Sequence, residues 1–199
     1  MLIDPLLATL LTLAFAPSGY LTQGEALRFR LLPKDSQIVT QVSDPFGQTV
    51  TGEFTLRDGE TRGQIQDLKG SGWVRLTIDA ASYNSNLGMR DQDVQENYLH
   101  VKEHPVITFT STGIEEIKGP TSPNETWQLT MRGILEIHGV KREIKVPVKL
   151  THRDRKITAE GKAKIALKDF NIAVPTLLFF FRSGDQVEVK FRIVGEQQP

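Results

Sequence analysis

The chain has 199 residues, of which 39% are apolar and 24% are charged, a composition typical of one globular domain. Its 24 basic and 24 acidic residues leave no net charge, which excludes the electrostatic footprint of a nucleic-acid-binding protein. The absence of cysteine excludes disulfides, thiolate metal sites, iron–sulfur clusters and a cysteine nucleophile.

The first apolar stretch runs from Leu6 to Ala16 without a charge and ends in the triplet Ala14-Phe15-Ala16. It is too short to cross a bilayer as a helix, but it has the length of a signal-peptide core. Asp4 stands where a signal peptide carries a basic residue, and Pro17 would follow the cleavage site. We expect residues 1–20 to be a signal peptide, with a buried or uncleaved N-terminal helix as the alternative, and the protein to be periplasmic or secreted.

The N-terminal half then alternates apolar and polar residues, the period of a strand with one buried face. The alternating runs are 27–31, 38–42, 50–56, 74–78 and 107–109. The triplet Arg57-Asp58-Gly59 predicts a turn that ends the third run. The polar stretch from Ala80 to His104 predicts a long connection that contains one helix, near Arg90 to Leu99, with acidic residues in its first turns.

The alternation is cleanest in the C-terminal half, where Ile134 is the single exception in the run from Trp127. The runs there are 127–137, 144–150, 157–167 and 187–193. Strict alternation predicts antiparallel strands, because parallel strands are covered on both faces. The segment Leu177–Phe181 is apolar on both faces, which predicts either a roof or lining for one end of the fold or a buried closing strand.

Eight or nine strands with one apolar face must pack as two sheets or close into one barrel. Several runs are longer than the usual strand of about five or six residues, as expected of strands that tilt around a closed barrel. The sequence therefore predicts an all-β fold, an antiparallel barrel of about eight strands.

Whether side chains fill this barrel decides its function, because eight strands are just wide enough either to be filled or to hold one small ligand. Ala159, Gly161 and Ala163 are three small residues in succession on one apolar face, and Gly52 and Gly133 are similar. They favour a hollow interior. The alternative is that they mark bends of the barrel, where glycine relieves curvature.

Motifs of catalysis are missing from the sequence, which has no Gly-x-Ser-x-Gly elbow, phosphate-binding loop or dinucleotide fingerprint. The sequence has four histidines, His100, His104, His138 and His152. Their spacing matches no zinc motif, and we interpret the first two as a chance surface pair. We therefore expect no enzyme, no cofactor and no metal.

A hydrolase or isomerase site would need convergent polar groups, and Arg90, Asp91 and Asn97 are the one plausible set. We expect these three residues to be structural instead and to fix the helix to the rim of the barrel.

Four ordered motifs carry a family resemblance. They are Ile78-Asp-Ala-Ala-Ser82, the pair Arg90-Asp91 opening a helix, His104-Pro-Val-Ile-Thr-Phe-Thr-Ser-Thr112, and Gly133-Ile-Leu-Glu-Ile-His-Gly-Val140. In this order they resemble the YceI-like family, and the resemblance extends from about Glu25 to Gly195.

The resemblance implies an extended, eight-stranded, lipocalin-like antiparallel barrel over residues 21–199, with one short helix capping an end. It also implies a small periplasmic or secreted bacterial protein that binds an isoprenoid quinone or a polyisoprenoid lipid. The chain departs from the family pattern twice. Asp93 stands where a histidine is common, and Lys168-Asp-Phe-Asn171 replaces Arg-x-x-Phe-Gly, so the roles of that histidine and arginine do not transfer.

We therefore expect binding or transport of an apolar long-chain ligand inside the barrel, with transient membrane contact and a homodimer as further partners. The alternative is a ligand-free barrel that acts as an interaction or stress-associated module. A measured interior cavity distinguishes the two. The predicted ligand-binding residues are Phe29, Phe54, Ile78, Phe109, Leu129, Met131, Leu135, Ala159, Gly161, Ala163, Leu178, Phe180 and Phe191.

Overall fold

A computed structural model describes residues 26–43, 49–119, 126–173 and 186–199. The predicted leader, residues 1–20, and the doubly apolar segment Leu177–Phe181 lie outside the described residues. The predicted ligand contacts Leu178 and Phe180 belong to that segment and lie outside them too.

The described residues form nine strands and two short helices. The strands are β1 (Leu27–Leu31), β2 (Gln37–Ser43), β3 (Thr49–Gly63), β4 (Trp73–Asn84), β5 (Val106–Lys118), β6 (Thr126–Ile137), β7 (Val140–Arg153), β8 (Lys156–Ala166) and β9 (Gln186–Gln197). The helices are α1 (Leu68–Ser71) and α2 (Gly88–Asp93), and α2 continues as a π-helical turn, Val94–Tyr98. Short 3₁₀ turns lie at Pro33–Asp35, Ile65–Asp67 and Leu167–Phe170. None of the described helices has the length and apolar character needed to span a bilayer.

All strand pairs are antiparallel, and the sheet closes on itself. The order around the barrel is β3-β2-β9-β8-β7-β6-β5-β4, and β4 pairs back with β3. β1 pairs with the far ends of β3 and β9, so β1 and β2 share one position between them. The described chain is therefore a closed eight-stranded barrel, as predicted.

The strand shared by β1 and β2 is interrupted at a proline, which lacks the N–H that a ladder requires. Arg30 pairs with Glu60 whereas Ile38 pairs with Phe54, so two extra residues lie in this strand. The Ser36 hydroxyl provides hydrogen bonds where the ladder is interrupted. It donates to the Leu32 carbonyl at 2.8 Å and accepts from the Val194 N–H at 3.0 Å. β1 and β2 therefore occupy one position of the barrel and are joined by the turn Pro33–Asp35.

The predicted alternation is confirmed along the long strands. On β6, Trp127, Leu129 and Leu135 are buried toward the interior, while Gln128 faces solvent. The outer face carries exposed ion pairs such as Lys145 with Glu115, Lys149 with Glu160 and Arg132 with Glu143. Pairs of this kind contribute about 0–1 kcal/mol each. Burial of the inner face, not the outer charges, therefore holds the barrel together.

The turn predicted at Arg57-Asp58-Gly59 is wrong, because β3 continues to Gly63. The register against β4 shifts between Leu56 and Asp58, which is a β-bulge. Arg57 and Asp58 both face solvent, and Gly59 is buried again. The Asp58 carboxylate accepts the Gly59 N–H at 2.7 Å. Asp-Gly favours turns and bulges alike, so the local sequence could not distinguish them.

The connection after β4 is shorter than predicted because β4 continues to Asn84. A helix is present near Arg90 to Leu99 as predicted, although it begins at Gly88 and ends in the π-helical turn. α1 was not predicted, since four residues are too few to show a helical period. α2 and the β6–β7 hairpin mark one end of the barrel, called here the α2 end. α1 and the β7–β8 hairpin mark the other, called the α1 end.

Three glycines of the barrel wall are covered by aromatic rings of neighbouring strands. Tyr83 covers Gly52, Phe109 covers Gly133, and Phe191 covers Gly161. A Cβ at any of these glycines would collide with the ring. Each glycine thus lets a ring lie against the barrel wall. Bends alone, the alternative drawn from the sequence, do not account for these three positions.

A side chain at Gly161 is expected to destabilise the barrel. In Gly161→Val the new Cβ would lie 2.6 Å from Phe191 Cζ and 2.5 Å from the Pro147 carbonyl oxygen. Overpacking of this kind costs about 1–3 kcal/mol, measurable as a lower midpoint of urea unfolding. Lys162→Val, at the exposed neighbouring position, is the control and is expected to change stability by less than about 0.5 kcal/mol. Equal stability of Gly161→Val and the parent chain would contradict the close contact.

Candidate functional site

The barrel contains a cavity of about 380 Å³, lined by inward-facing residues of all nine described strands. Pockets for small molecules and cofactors span about 300–1,000 Å³, so this volume falls within their range. The hollow interior favoured by the sequence is therefore confirmed for the part of the chain that the structure describes.

The burial of the inward-facing side chains shows the same cavity independently. Phe54, Leu76, Met131 and Phe191 point into the barrel and pack on the buried core, yet each is only half-buried. In a filled interior, side chains of this size touch neighbours on every side and lose nearly all of their exposure. Here one side of each faces empty space.

The described members of the predicted ligand-binding set line this cavity with one exception. Those that line it are Phe29, Phe54, Ile78, Phe109, Leu129, Met131, Leu135, Ala159, Ala163 and Phe191. The exception is Gly161, whose inner side the Phe191 ring covers. Strand parity alone could not show that a ring from the next strand would occupy that space.

Polar groups of the lining gather toward the two ends of the cavity. Those at the α2 end are Thr40, Tyr83, Arg90, Asp93 and Tyr98, and those at the α1 end are Thr61, Arg62 and His152. The wall between them is apolar. Such an interior matches a ligand with a long apolar body and a polar group at one end.

A hydrogen-bond network fixes α2 to the end of β4. Arg90 donates from Nε to Ser85 Oγ at 2.7 Å and from Nη2 to the Ser85 carbonyl at 2.9 Å. The Asp91 carboxylate accepts from both the N–H and the hydroxyl of Ser85, and Gln95 donates to the Tyr83 carbonyl at 3.0 Å. Burial raises the pKa of Tyr83, Arg90 opposes the rise and Asp91 adds to it. The structural roles predicted for Arg90 and Asp91 are confirmed.

The role predicted for Asn97 is wrong. Its amide donates to the Asp93 carboxylate at 2.7 Å, one turn earlier in the same helical segment, and its side chain is exposed. A residue on the outer face of the helix supports the helix itself and does not attach it to the barrel.

Three of the histidines meet at the α2 end, although the sequence indicated only a chance surface pair of His100 and His104. His100 Nδ1 and His138 Nε2 are 2.9 Å apart, and the His104 ring centroid lies 4.9 Å from that of His138. The β6–β7 hairpin brings His138 across a separation that spacing along the sequence did not reveal. Among the described residues no group of three or more histidines and acids is arranged to hold a metal ion. The three rings link the chain after α2 to the hairpin.

His152 is a lining residue that sequence reasoning missed. It is 6% exposed, it lies at the α1 end, and its ring meets the Phe29 ring edge-on at 5.7 Å. Neither ring nitrogen has a hydrogen-bond partner in the described part of the chain. Burial lowers the pKa of His152, and the backbone and carboxylate of Asp154 oppose this only partly. The alternating run through Leu150, continued by one more step, would have placed residue 152 inside.

Comparison with known proteins places the barrel in a family. The YceI-like domain profile matches residues 29–195. A UPF0312 protein of Pectobacterium carotovorum is 30% identical over 132 residues, which cover 63% of this chain and 62% of the relative. A UPF0312 protein of Azotobacter vinelandii is 28% identical over 106 residues, covering 50% and 52%. The matched regions span between about half and three fifths of these relatives' lengths.

Solved structures share the fold. BcnA of Burkholderia cenocepacia is 23% identical, with 82% of this chain and 98% of that chain covered and a TM-score of 0.63. A polyisoprenoid-binding domain of Saccharophagus degradans is 16% identical, with 86% and 99% covered and a TM-score of 0.68. The domain profile runs from β1 to β9, so it covers the closed barrel, and the chain belongs to the YceI-like family.

Proposed function

We propose that this chain binds a long-chain apolar ligand, an isoprenoid quinone or a polyisoprenoid lipid, inside the barrel and that it is not an enzyme. The observation that carries the proposal is the interior cavity of about 380 Å³, which half-buried apolar side chains face. Membership of the YceI-like family supports it, as does the shared fold of a solved polyisoprenoid-binding domain.

The energetics favour an occupied barrel over a ligand-free module. Cavities left in protein cores cost roughly 24 cal/mol per Å³. A barrel that acted only through its outer surface would gain from larger inward side chains, and this sequence places alanine at residues 159 and 163 instead.

The ligand's own chemistry favours exchange with a membrane. Burial of one CH₂ is worth about 0.8 kcal/mol, so a five-carbon isoprene unit gains roughly 4 kcal/mol on leaving water. A ligand already in a bilayer has left water, so the hydrophobic free energy gained on its transfer from the bilayer to the barrel is small. Fit to the lining and access to the cavity would therefore govern transfer.

Catalysis is not part of the proposal. Arg90 and Asp91, the polar pair with the best position for chemistry, direct their hydrogen bonds to Ser85. A reacting group would need a free nucleophile or base beside the cavity. His152 has the right chemistry, but no nucleophile among the described residues is hydrogen-bonded to it.

Added quinone is expected to quench the intrinsic fluorescence of the protein, because both of its tryptophans, Trp73 and Trp127, line the cavity. We expect Ala163→Phe, which places a ring inside the cavity, to weaken binding at least about tenfold, a loss of roughly 1.4 kcal/mol. Ala81→Phe makes the same change at an exposed position on β4 and is the matched control.

Mass spectrometry of an organic extract of the purified protein is the companion measurement. A bound isoprenoid is the expected finding. An empty extract together with no quenching by added quinone would overturn the proposed function. Equal weakening of binding by Ala163→Phe and Ala81→Phe would place the ligand outside the barrel.

We propose transient membrane contact at the α2 end. Leu87 and Met89, which are 47% and 81% exposed, are the large apolar side chains that the described residues expose, and both lie at the start of α2. Met89→Glu is expected to slow transfer of quinone from phosphatidylcholine vesicles several-fold, because a charged side chain resists insertion. Gln92→Glu on the same helix is the control and should transfer normally. An unchanged rate in Met89→Glu would exclude this contact.

We also propose that the protein is exported, as the apolar stretch from Leu6 to Ala16 suggests. Expression of the full chain in a Gram-negative host is expected to deliver it to the periplasmic fraction, with the leader removed near Ala16. Recovery of the intact chain in the cytoplasmic fraction, by mass spectrometry, would contradict export.

A further inference from the structure

We propose that His152 binds an uncharged oxygen of the ligand, a carbonyl or a hydroxyl, at the α1 end of the cavity. The cavity would then prefer a quinone or a free prenyl alcohol over a phosphorylated prenyl chain. This inference rests on the proposed function, and it adds the chemistry of the polar group and the direction in which the ligand lies.

The first argument is that burying His152 without hydrogen-bond partners is energetically unfavourable. Its side chain is 6% exposed, and both ring nitrogens lack hydrogen-bond partners in the described chain. Phe29 packs edge-on against the ring, and Ile157 lies opposite on β8. A buried polar group without a partner is unfavourable, and a leucine or phenylalanine would suit this wall better. A ligand that supplies the missing hydrogen bonds explains the histidine.

The second argument is that the threonines of the lining already have hydrogen-bond partners, whereas the His152 ring nitrogens do not. Thr61 Oγ1 donates to the Trp73 carbonyl at 2.6 Å, and Thr40 Oγ1 donates to the Gly52 carbonyl at 3.0 Å. Of the lining residues that the structure describes, His152 is the one whose buried polar atoms lack hydrogen bonds. Its ring is therefore the buried polar group of the lining that a ligand oxygen could satisfy.

The third argument concerns charge. Burial lowers the pKa of His152, so the ring is neutral at neutral pH, with one donor and one acceptor nitrogen. A carbonyl oxygen can accept the ring N–H, and a hydroxyl can also donate to the other nitrogen. A diphosphate needs cationic partners instead. Among the lining residues at this end the cation is Arg62, which is exposed and has its guanidinium 5.0 Å from the Trp73 ring centroid.

The neutral state can be measured on the protein without ligand. The folded chain holds the pKa of His152 below its usual 6.5, so the unfolded chain binds the extra proton as the pH falls through that value. Stability should therefore fall between about pH 6.5 and the lower folded pKa, and it should fall less in His152→Phe. Phe29 from β1 and Ile157 from β8 face the ring without charge, and Asp154 is the carboxylate that opposes the shift.

NMR titration of the ring nitrogens provides the direct reading. A pKa at or above 6.5 for His152 would overturn the inference, because a charged ring would favour the phosphorylated chain. His100→Phe, which removes an exposed histidine outside the cavity lining, should leave the His152 titration unchanged and serves as the control.

The deciding experiment compares three probes with one C20 prenyl chain: the alcohol, the diphosphate and the parent hydrocarbon. We expect the parent protein to bind the alcohol about tenfold more tightly than the hydrocarbon, and the diphosphate least tightly, as read by competition with a quinone. His152→Phe should keep hydrocarbon binding and lose the preference for the alcohol. His152→Gln, which restores a donor and an acceptor, should recover part of it.

The outcomes separate the two proposals. If the parent protein binds none of the probes and no quinone, the proposed function fails and this inference fails with it. If it binds all three and His152→Phe leaves their order unchanged, this inference alone fails. Should a variant not fold, movement of the His152 ring resonances when the alcohol is added, but not the hydrocarbon, gives the same answer on the parent protein.

Discussion

The pairing of β4 with β3 is the contact on which the rest of the structure depends, because it closes the sheet and removes its edges. In a closed sheet the number and tilt of the strands set the diameter, and the inward side chains decide how much of that space stays open. The inner faces can then carry rings and small residues without collapse. A cavity remains here because the closed sheet fixes the distance between opposite walls and the inward side chains do not fill it.

The contents of that cavity follow a simple division. Apolar side chains line the middle, and polar groups lie toward both ends, with α2 fixed over one end by Ser85, Arg90 and Asp91. At the other end His152 stands without a partner in the described chain. The two ends of the cavity therefore differ: α2 lies at one end and an unsatisfied histidine at the other. A uniform apolar tunnel would not distinguish the two ends of a ligand in this way.

Much of the fold could be predicted from the chain alone, and the failures have physical reasons. Period-two alternation placed residues such as Leu129 and Ala163 inside, because a strand's side chains must point alternately to its two faces. It misplaced Arg57-Asp58-Gly59, where a bulge uses the residues of a turn. It counted Gly161 as lining, although Phe191 from β9 covers it. It did not place His152 inside, because the predicted run ended at Leu150 whereas β7 continues to Arg153.

The sequence by itself determined the strands, their inner and outer faces, the all-β class and the family motifs, since each of these follows from local periodicity or from short ordered patterns. Only the tertiary structure decided which residues meet: the rings that lie on glycines, the three histidines at the α2 end, the hydrogen bonds to Ser85 and the volume left inside. Those features depend on contacts between strands far apart in the chain. Local pattern carries no information about such distances, because closure and register, not neighbouring residues, set them.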